Sequence, residues 1–208
     1  MRGHDHRPKQ PDLEDLPYTW HMALTDALAD LLMAKGIFGA DELRATLETI
    51  DQATPAQGTR LVARAWVDPA FRARLLEDVN AAAAELGIDA GAIPIRAVAD
   101  TPEVHNVVVC TLCSCYPRFL LGPPPDWYKQ RAYRSRVVRE PRAVLAEFGL
   151  VLPDEIRIEV HDSTAELRYM VLPMRPEGTA HMDEEALAAL VTRDCLIGTA
   201  LPRAPQRA

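Results

Sequence analysis

Positive charge is the first thing this sequence is short of. Its 23 Lys and Arg residues stand against 30 Asp and Glu, a formal net charge of −7. Nucleic acids and anionic membrane surfaces both select for basic patches, so neither is an expected partner. Long apolar runs are also missing, and none approaches the ~20 residues that cross a bilayer as a helix. The N-terminus, Met1-Arg2-Gly3-His4-Asp5-His6-Arg7-Pro8, is polar and leads into no apolar h-region, so no secretory leader is expected. No internal repeat or low-complexity tract appears. Cysteine is scarce, with four in 208 residues. A chain of this length buries an adequate core without covalent staples, which argues against a disulfide framework.

The cysteines that are present are concentrated. Three of the four fall within six residues, in Val109-Cys110-Thr111-Leu112-Cys113-Ser114-Cys115-Tyr116. C-x-x-C-x-C is too tight for three separate packing roles, and its sulfurs can converge on a single metal ion. Zinc would want a fourth ligand from a second C-x-x-C or a close pair of histidines, and neither follows. A thioredoxin-like redox pair would leave Cys115 unexplained. Metal ligation is therefore the first reading and redox chemistry the second. The amides of Ser114 and Cys115 lie inside the chelate loop. If deprotonated, they would join the sulfurs in a strong-field set that suits a tervalent first-row metal more than zinc.

Val-Cys-Thr-Leu-Cys-Ser-Cys-Tyr resembles the metal claw of the nitrile hydratase α subunit in its cobalt-type form. Iron-type members typically carry Ser at the position of Thr111 and Thr at that of Tyr116. The likeness runs on through Trp127-Tyr128, Tyr133 to Arg142, Arg168 to Pro173, Arg175 to Thr179 and Thr192 to Gly198. The resemblance implies Cys110, Cys113 and Cys115 as thiolate ligands, with the main-chain nitrogens of Ser114 and Cys115. It implies a non-corrin, low-spin Co3+ centre rather than iron. Cys113 would be oxidised to sulfinate and Cys115 to sulfenate, both taking part in catalysis, while Cys110 stays a thiolate. The reaction would be hydration of a nitrile to an amide, the metal acting as a Lewis acid or lowering the pKa of water. A β partner, of one or two polypeptides, would supply arginines to the oxidised sulfurs, and a metal-insertion activator protein is a further implied partner. Clustered reduced thiols awaiting metal fit the cytoplasm.

The sequence leaves this pattern at Arg118, where nitrile-hydrating relatives usually carry a pocket-walling Trp. Arginine here is similar to the related thiocyanate hydrolase, whose substrate is an anion that a guanidinium would attract. The plain alternative is a solvated or partner-paired Arg118. Three functions follow in order: nitrile hydratase subunit, thiocyanate hydrolase subunit, and a metal-binding module without turnover.

The pattern predicts an α+β fold with an N-terminal helical arm, and the resemblance implies a layered α-β-β-α domain after it. Residues 1–93 read as the arm, embracing a partner subunit, and 94–208 as the globular metal-binding domain. Leu24, Leu28, Leu31 and Leu32 mark a first helix, and Asp41 is the expected cap of a second. Asp68-Pro69 opens a helix carrying Phe71, Leu75, Val79 and Leu86, stopped by Gly87. Strands are expected at 95–99, 104–109, 156–161 and 167–172, with helices at 141–148 and 183–192. His105 reads as a hydrogen-bonded structural residue, Cys195 as a small buried hydrophobe, and Arg134, Arg136, Arg139 and Arg142 as a solvated or interface face. His4 and His6 read as part of a polar tail.

Overall fold

Helix boundaries in this chain follow its capping residues. The computed structural model describes residues 19–203, the side chains of 49, 51 and 52 aside, so His4 and His6 lie outside the described residues. Thr19 caps α1 (Trp20–Ala34), its hydroxyl accepting from the Met22 N–H at 3.3 Å. No residue of α1 is buried, although it carries Trp20, Leu24, Leu28 and Leu31. In α2 (Ala40–Gln52) the expected cap Asp41 lies one step inside the helix, in the first turn, where its charge favours the positive end of the helix dipole. The contacts divide the chain between Glu48 and Thr49, and the second unit has its own core.

That unit opens with α3 (Ala56–Val67), whose Leu61, Val62 and Ala65 are buried. Asp68 then caps α4 (Pro69–Glu77), accepting from the Phe71 N–H at 3.0 Å, with Pro69 in the first turn. The single helix expected from 69 to 86 is broken. Asp78 turns extended, ends α4 and caps α5 (Val79–Glu85) by accepting from the Ala81 N–H at 3.0 Å. A side-chain oxygen that satisfies the backbone three residues on competes with helix continuation. The four strands are β1 (Ile95–Ala99), β2 (Val104–Val109), β3 (Arg157–Asp162) and β4 (Arg168–Leu172). They pair as nested parallel couples, β1 with β4 and β2 with β3.

Between β2 and β3 run α6 (Arg118–Leu121), α7 (Asp126–Lys129), α8 (Arg131–Arg136) and α9 (Pro141–Glu147). After β4 come α10 (Glu184–Ala188) and α11 (Arg193–Ile197). The helix expected over 183–192 is cut to five residues: after Ala188 the chain tightens into turns, with the Leu190 and Val191 N–H groups donating to the Leu187 and Ala188 carbonyls, and Thr192 turns extended and caps α11. Helices α4 and α5 pack on β1, α11 on β4 and α9 on β3, so helices flank both strand pairs in the expected layered α+β arrangement. Phe71, Leu75, Val107, Val109, Tyr128, Leu145, Met170 and Leu196 form the centre of the core. Among the described residues no helix is long and apolar enough to cross a membrane.

His105 has the structural role expected of it. Its Nδ1 lies 3.3 Å from Asp100 Oδ2 and its Nε2 is 2.7 Å from the Gly198 carbonyl oxygen. Both ring nitrogens therefore face acceptors, which suits the imidazolium. Burial disfavours that charge, but the Asp100 hydrogen bond and charge, with the Gly198 carbonyl, outweigh it and raise the pKa. A raised folded pKa contributes stability that is full below the unfolded value of ~6.5 and is lost as pH rises through the folded value. The wild-type melting temperature should fall over that window, and His105→Gln should flatten the decline. A wild-type midpoint that rises with pH across the window would contradict the pairing.

Candidate metal centre

The metal loop begins where a buried strand ends. Val107, Val108 and Val109 are buried at the end of β2, and Cys110 is buried with them. The chain then surfaces: Leu112 is 86% exposed, and Cys113 and Ser114 are also exposed, while Cys115 is half-buried. Cys110 Sγ lies 3.4 Å from Cys113 Sγ, and Cys113 Sγ lies 3.2 Å from Cys115 Sγ. All three sulfurs fall within 4.8 Å of one another. Two sulfurs each ~2.3 Å from an ion are ~3.8 Å apart at the tetrahedral angle and ~3.3 Å apart at a right angle. The two short spacings match the right angle, so the donor set fits a six-coordinate ion better than tetrahedral zinc.

The sulfurs also bias one another's protons. Hydrogen bonds from Cys115 and Cys110, with a main-chain contact from Ser114, bring the Cys113 thiol down to about 7. Burial, then Cys113, pushes Cys115 up to about 12. One proton of the cluster is therefore easier to lose than from a free thiol, and the next is held more tightly. Cys195 plays no part in it. Its buried sulfur lies 3.2 Å from Thr192 Oγ1 and accepts from the Thr192 N–H at 3.4 Å, closing the start of α11.

Side chains from three elements fix the loop. Parallel register sets Asp162 beside Val109. Asp162 accepts from the Thr111 N–H at 2.8 Å and from Thr111 Oγ1 at 2.5 Å. Tyr133 Oη donates to the Val108 carbonyl at 2.8 Å, and Tyr128 Oη to the Cys115 carbonyl at 2.9 Å. Arg134 Nη1 donates to the Thr111 carbonyl at 3.3 Å. The loop's backbone is thus held at its entry, first step and exit. Arg168, the first residue of β4, has a buried Nη1 without a partner among the described residues, and its charge opposes the rise of the Cys115 pKa. Sequence reading misses the roles of Asp162 and Arg168, which look like a turn residue and a motif position. Only the strand register brings them to the loop.

Arg118 opens α6, three residues after Cys115. It is half-buried, and its guanidinium has no hydrogen-bond or ion-pair partner among the described residues. Arg136 and Arg142, by contrast, are occupied away from the loop. Arg136 pairs with Glu140 and Glu147, and Arg142 donates to the carbonyls of Leu152, Pro153 and Ile156. Beside the loop an open groove of about 470 Å3 is lined by Thr111, Leu112, Arg131, Arg134, Ser135 and Val138.

The family profile described as "Nitrile hydratase, alpha chain" matches residues 20–200. This chain belongs to the nitrile hydratase alpha family. It is 47% identical over 188 residues to the low-molecular weight cobalt-containing nitrile hydratase subunit alpha of Rhodococcus rhodochrous, covering 89% of this chain and 91% of that one. Its fold is similar to a crystal structure of a thiocyanate hydrolase mutant, with a TM-score of 0.84, 43% identity and coverage of 89% of this chain and 91% of that one. A mutant Fe-type nitrile hydratase from Comamonas testosteroni gives a TM-score of 0.80 at 42% identity, over 90% of this chain and 94% of that one. The family therefore spans two metals and two substrates around this fold.

The Asp162 bonds give a prediction. Asp162→Ala leaves the Thr111 N–H and hydroxyl without their acceptor, and partners of this kind cost ~10–100-fold in metal affinity or activity. Thr111→Val should share the loss and Thr111→Ser should restore it. Cobalt content and turnover per cobalt are the readouts, and equal values in all three variants would show the loop does not depend on this anchor.

Proposed function

We propose that this chain is the metal-bearing α subunit of a cobalt-type nitrile hydratase, converting R–C≡N and water to the amide together with a partner β subunit. The observation that carries the reading is the right-angle spacing of the Cys113 sulfur from those of Cys110 and Cys115, in a family with a cobalt-containing relative at 47% identity. Those three sulfurs, with the main-chain nitrogens of Ser114 and Cys115, would hold the ion. Low-spin Co3+, once bound, supplies Lewis acidity toward the nitrile. Cys113 as sulfinate would accept hydrogen bonds from partner arginines, and Cys115 as sulfenate would offer the nitrile carbon an oxygen as nucleophile or proton acceptor. Cys110, buried and unoxidised, would anchor the set.

A partner is required on physical grounds. Leu112, Cys113 and Ser114 stand exposed on this chain, whereas polarising a nitrile calls for a site shielded from water. Arg131 and Arg134 in the adjoining groove suit contact with that partner. The same reading includes a metal-insertion activator protein and a cytoplasmic location, where thiols stay reduced until the metal arrives. Arg118 supports thiocyanate as a second substrate, because an unpaired guanidinium near the loop attracts an anion.

Two measurements test the assignment. Elemental analysis of the complex made with cobalt and iron both available should give one cobalt per α chain. Stoichiometric iron, or zinc with free thiols, would refute it. The intact mass of active material should exceed the sequence mass by about three oxygens, on Cys113 and Cys115 alone. For Arg118, the Arg118→Trp variant should shift the ratio of kcat/KM for thiocyanate and a small neutral nitrile several-fold toward the nitrile, an effect on the order of 1 kcal/mol. An unchanged ratio at full cobalt occupancy would place Arg118 outside the substrate pocket.

A further inference from the structure

Asp162 and Arg168 reach the metal loop from different strand pairs, one at the end of β3 and the other at the start of β4. Their placement at the loop therefore depends on how one pair is fixed against the other. Side chains make that join. Asn106 Nδ2, on β2, donates to the Ala99 carbonyl on β1 at 2.9 Å and to Asp100 Oδ1 at 3.0 Å. With both amide hydrogens spent, Asn106 presents its Oδ1 to His161 on β3, whose Nε2 lies 2.8 Å away. Nε2 is thus the nitrogen that carries a proton and donates.

The same imidazole reaches the other pair a second time. Its ring lies against Tyr169 on β4, with centroids 5.2 Å apart and planes inclined by 36°. Just past β3, the buried Ser163 accepts from the Tyr169 N–H through Oγ at 3.2 Å. His161 therefore touches both pairs in the rows next to the loop. It precedes Asp162, which holds Thr111, and its ring partner Tyr169 follows Arg168.

Neighbouring side chains on a strand point to opposite faces, so His161 works from behind Asp162 and does not enter the loop. Packing alone would be met by an apolar ring at this half-buried position. Such a ring would leave Asn106 Oδ1 without its donor inside a buried residue, which is unfavourable. The hydrogen bond is what histidine adds.

We propose that His161 is a positioning residue for the metal loop: by joining Asn106 to Tyr169 it fixes Asp162 relative to Arg168, and through Asp162 it sets the path of the loop at Thr111. The proposal rests on the metal-binding reading above, and its first readout needs no metal.

That readout is amide hydrogen exchange in the complex with the partner subunit before cobalt is added, comparing Thr111 with Leu75 of α4. His161→Phe keeps a ring against Tyr169 and removes the donor, and it should speed exchange at Thr111 several-fold more than at Leu75. His161→Gln offers Asn106 an N–H again and should recover most of the difference. The second readout is the cobalt dissociation constant by competition with a chelator, expected to rise about tenfold in His161→Phe, the lower end of the range for groups that support metal ligands. Tyr169→Leu removes the stacked ring alone and keeps the test open if His161→Phe misfolds, with several-fold faster exchange at Thr111 expected. Equal acceleration at Thr111 and Leu75 shows a purely structural role and overturns the proposal, as does an unchanged Thr111 rate. A selective loosening of Thr111 in a complex that takes up no cobalt supports the positioning role and refutes the cobalt reading instead.

Discussion

Cys113→Ala is expected to empty the centre of cobalt and to lower nitrile hydration at least about a thousandfold, since metal catalysis contributes several kcal/mol and each 1.36 kcal/mol is tenfold. Cys113 sits between the other two sulfurs, 3.4 Å from Cys110 and 3.2 Å from Cys115, so its loss leaves no adjacent pair. The fold should survive, because the Cys113 side chain is exposed and supports no core packing. Cys195→Ala is the control. It should keep cobalt and turnover while losing only the sulfur that closes α11, a loss of about 1 kcal/mol. Cobalt content and amide formation, measured with the partner subunit present, check both. A Cys113→Ala complex that retains stoichiometric cobalt and activity would exclude the three-sulfur centre.

The largest expected effect on stability lies elsewhere, at Gly198→Ala. Gly198 ends α11 at φ 89°, in the left-handed region, and a Cβ there would collide with the Asn106 carbonyl oxygen. Asn106 cannot yield, because it belongs to β2, which is paired along its length with β3. The Gly198 carbonyl also accepts from His105. Left-handed strain of ~1–3 kcal/mol, added to the backbone clash, puts the cost on the order of 4 kcal/mol. That is a large share of the ~5–15 kcal/mol that holds a typical domain together. Gly87→Ala provides the comparison. It too has a positive φ, 68°, but a Cβ there meets nothing within 4 Å, so about 1 kcal/mol is expected. Chemical denaturation of both variants checks the contrast, and similar midpoints would contradict it.

The contrast between those two sites parallels what the sequence made legible. The metal loop was readable because its donors are local: C-x-x-C-x-C places all three sulfurs within six residues, even though Asp162, Tyr128, Tyr133 and Arg134 hold its backbone. β2 was readable for the same reason, as a valine-rich run leading into the loop. Distant pairing was not. The nested parallel coupling of β1 with β4 and β2 with β3 depends on helices packing from both sides, and it is this register that brings Asp162 to Thr111 and Arg168 near Cys115. Periodicity also ran past two interruptions. Phe71, Leu75, Val79 and Leu86 continue one helical face across Asp78, but the Asp78 side chain captures the Ala81 N–H and starts a new helix. The run expected from 183 stops at Ala188, where the chain tightens into turns at Leu190 and Val191 before Thr192 begins α11. In each case a local hydrogen bond, from the Asp78 side chain or within a backbone turn, prevailed over the apolar period.

The most direct measurement is turnover by the cobalt-loaded complex of this chain with its partner subunit, offered a small neutral nitrile and thiocyanate in parallel, with cobalt determined on the same material. Amide formed from the nitrile in proportion to cobalt content, approaching a maximum at one cobalt per α chain, is the predicted result. A fully loaded, oxidised complex that leaves the nitrile untouched would contradict the account, whether or not it consumes thiocyanate.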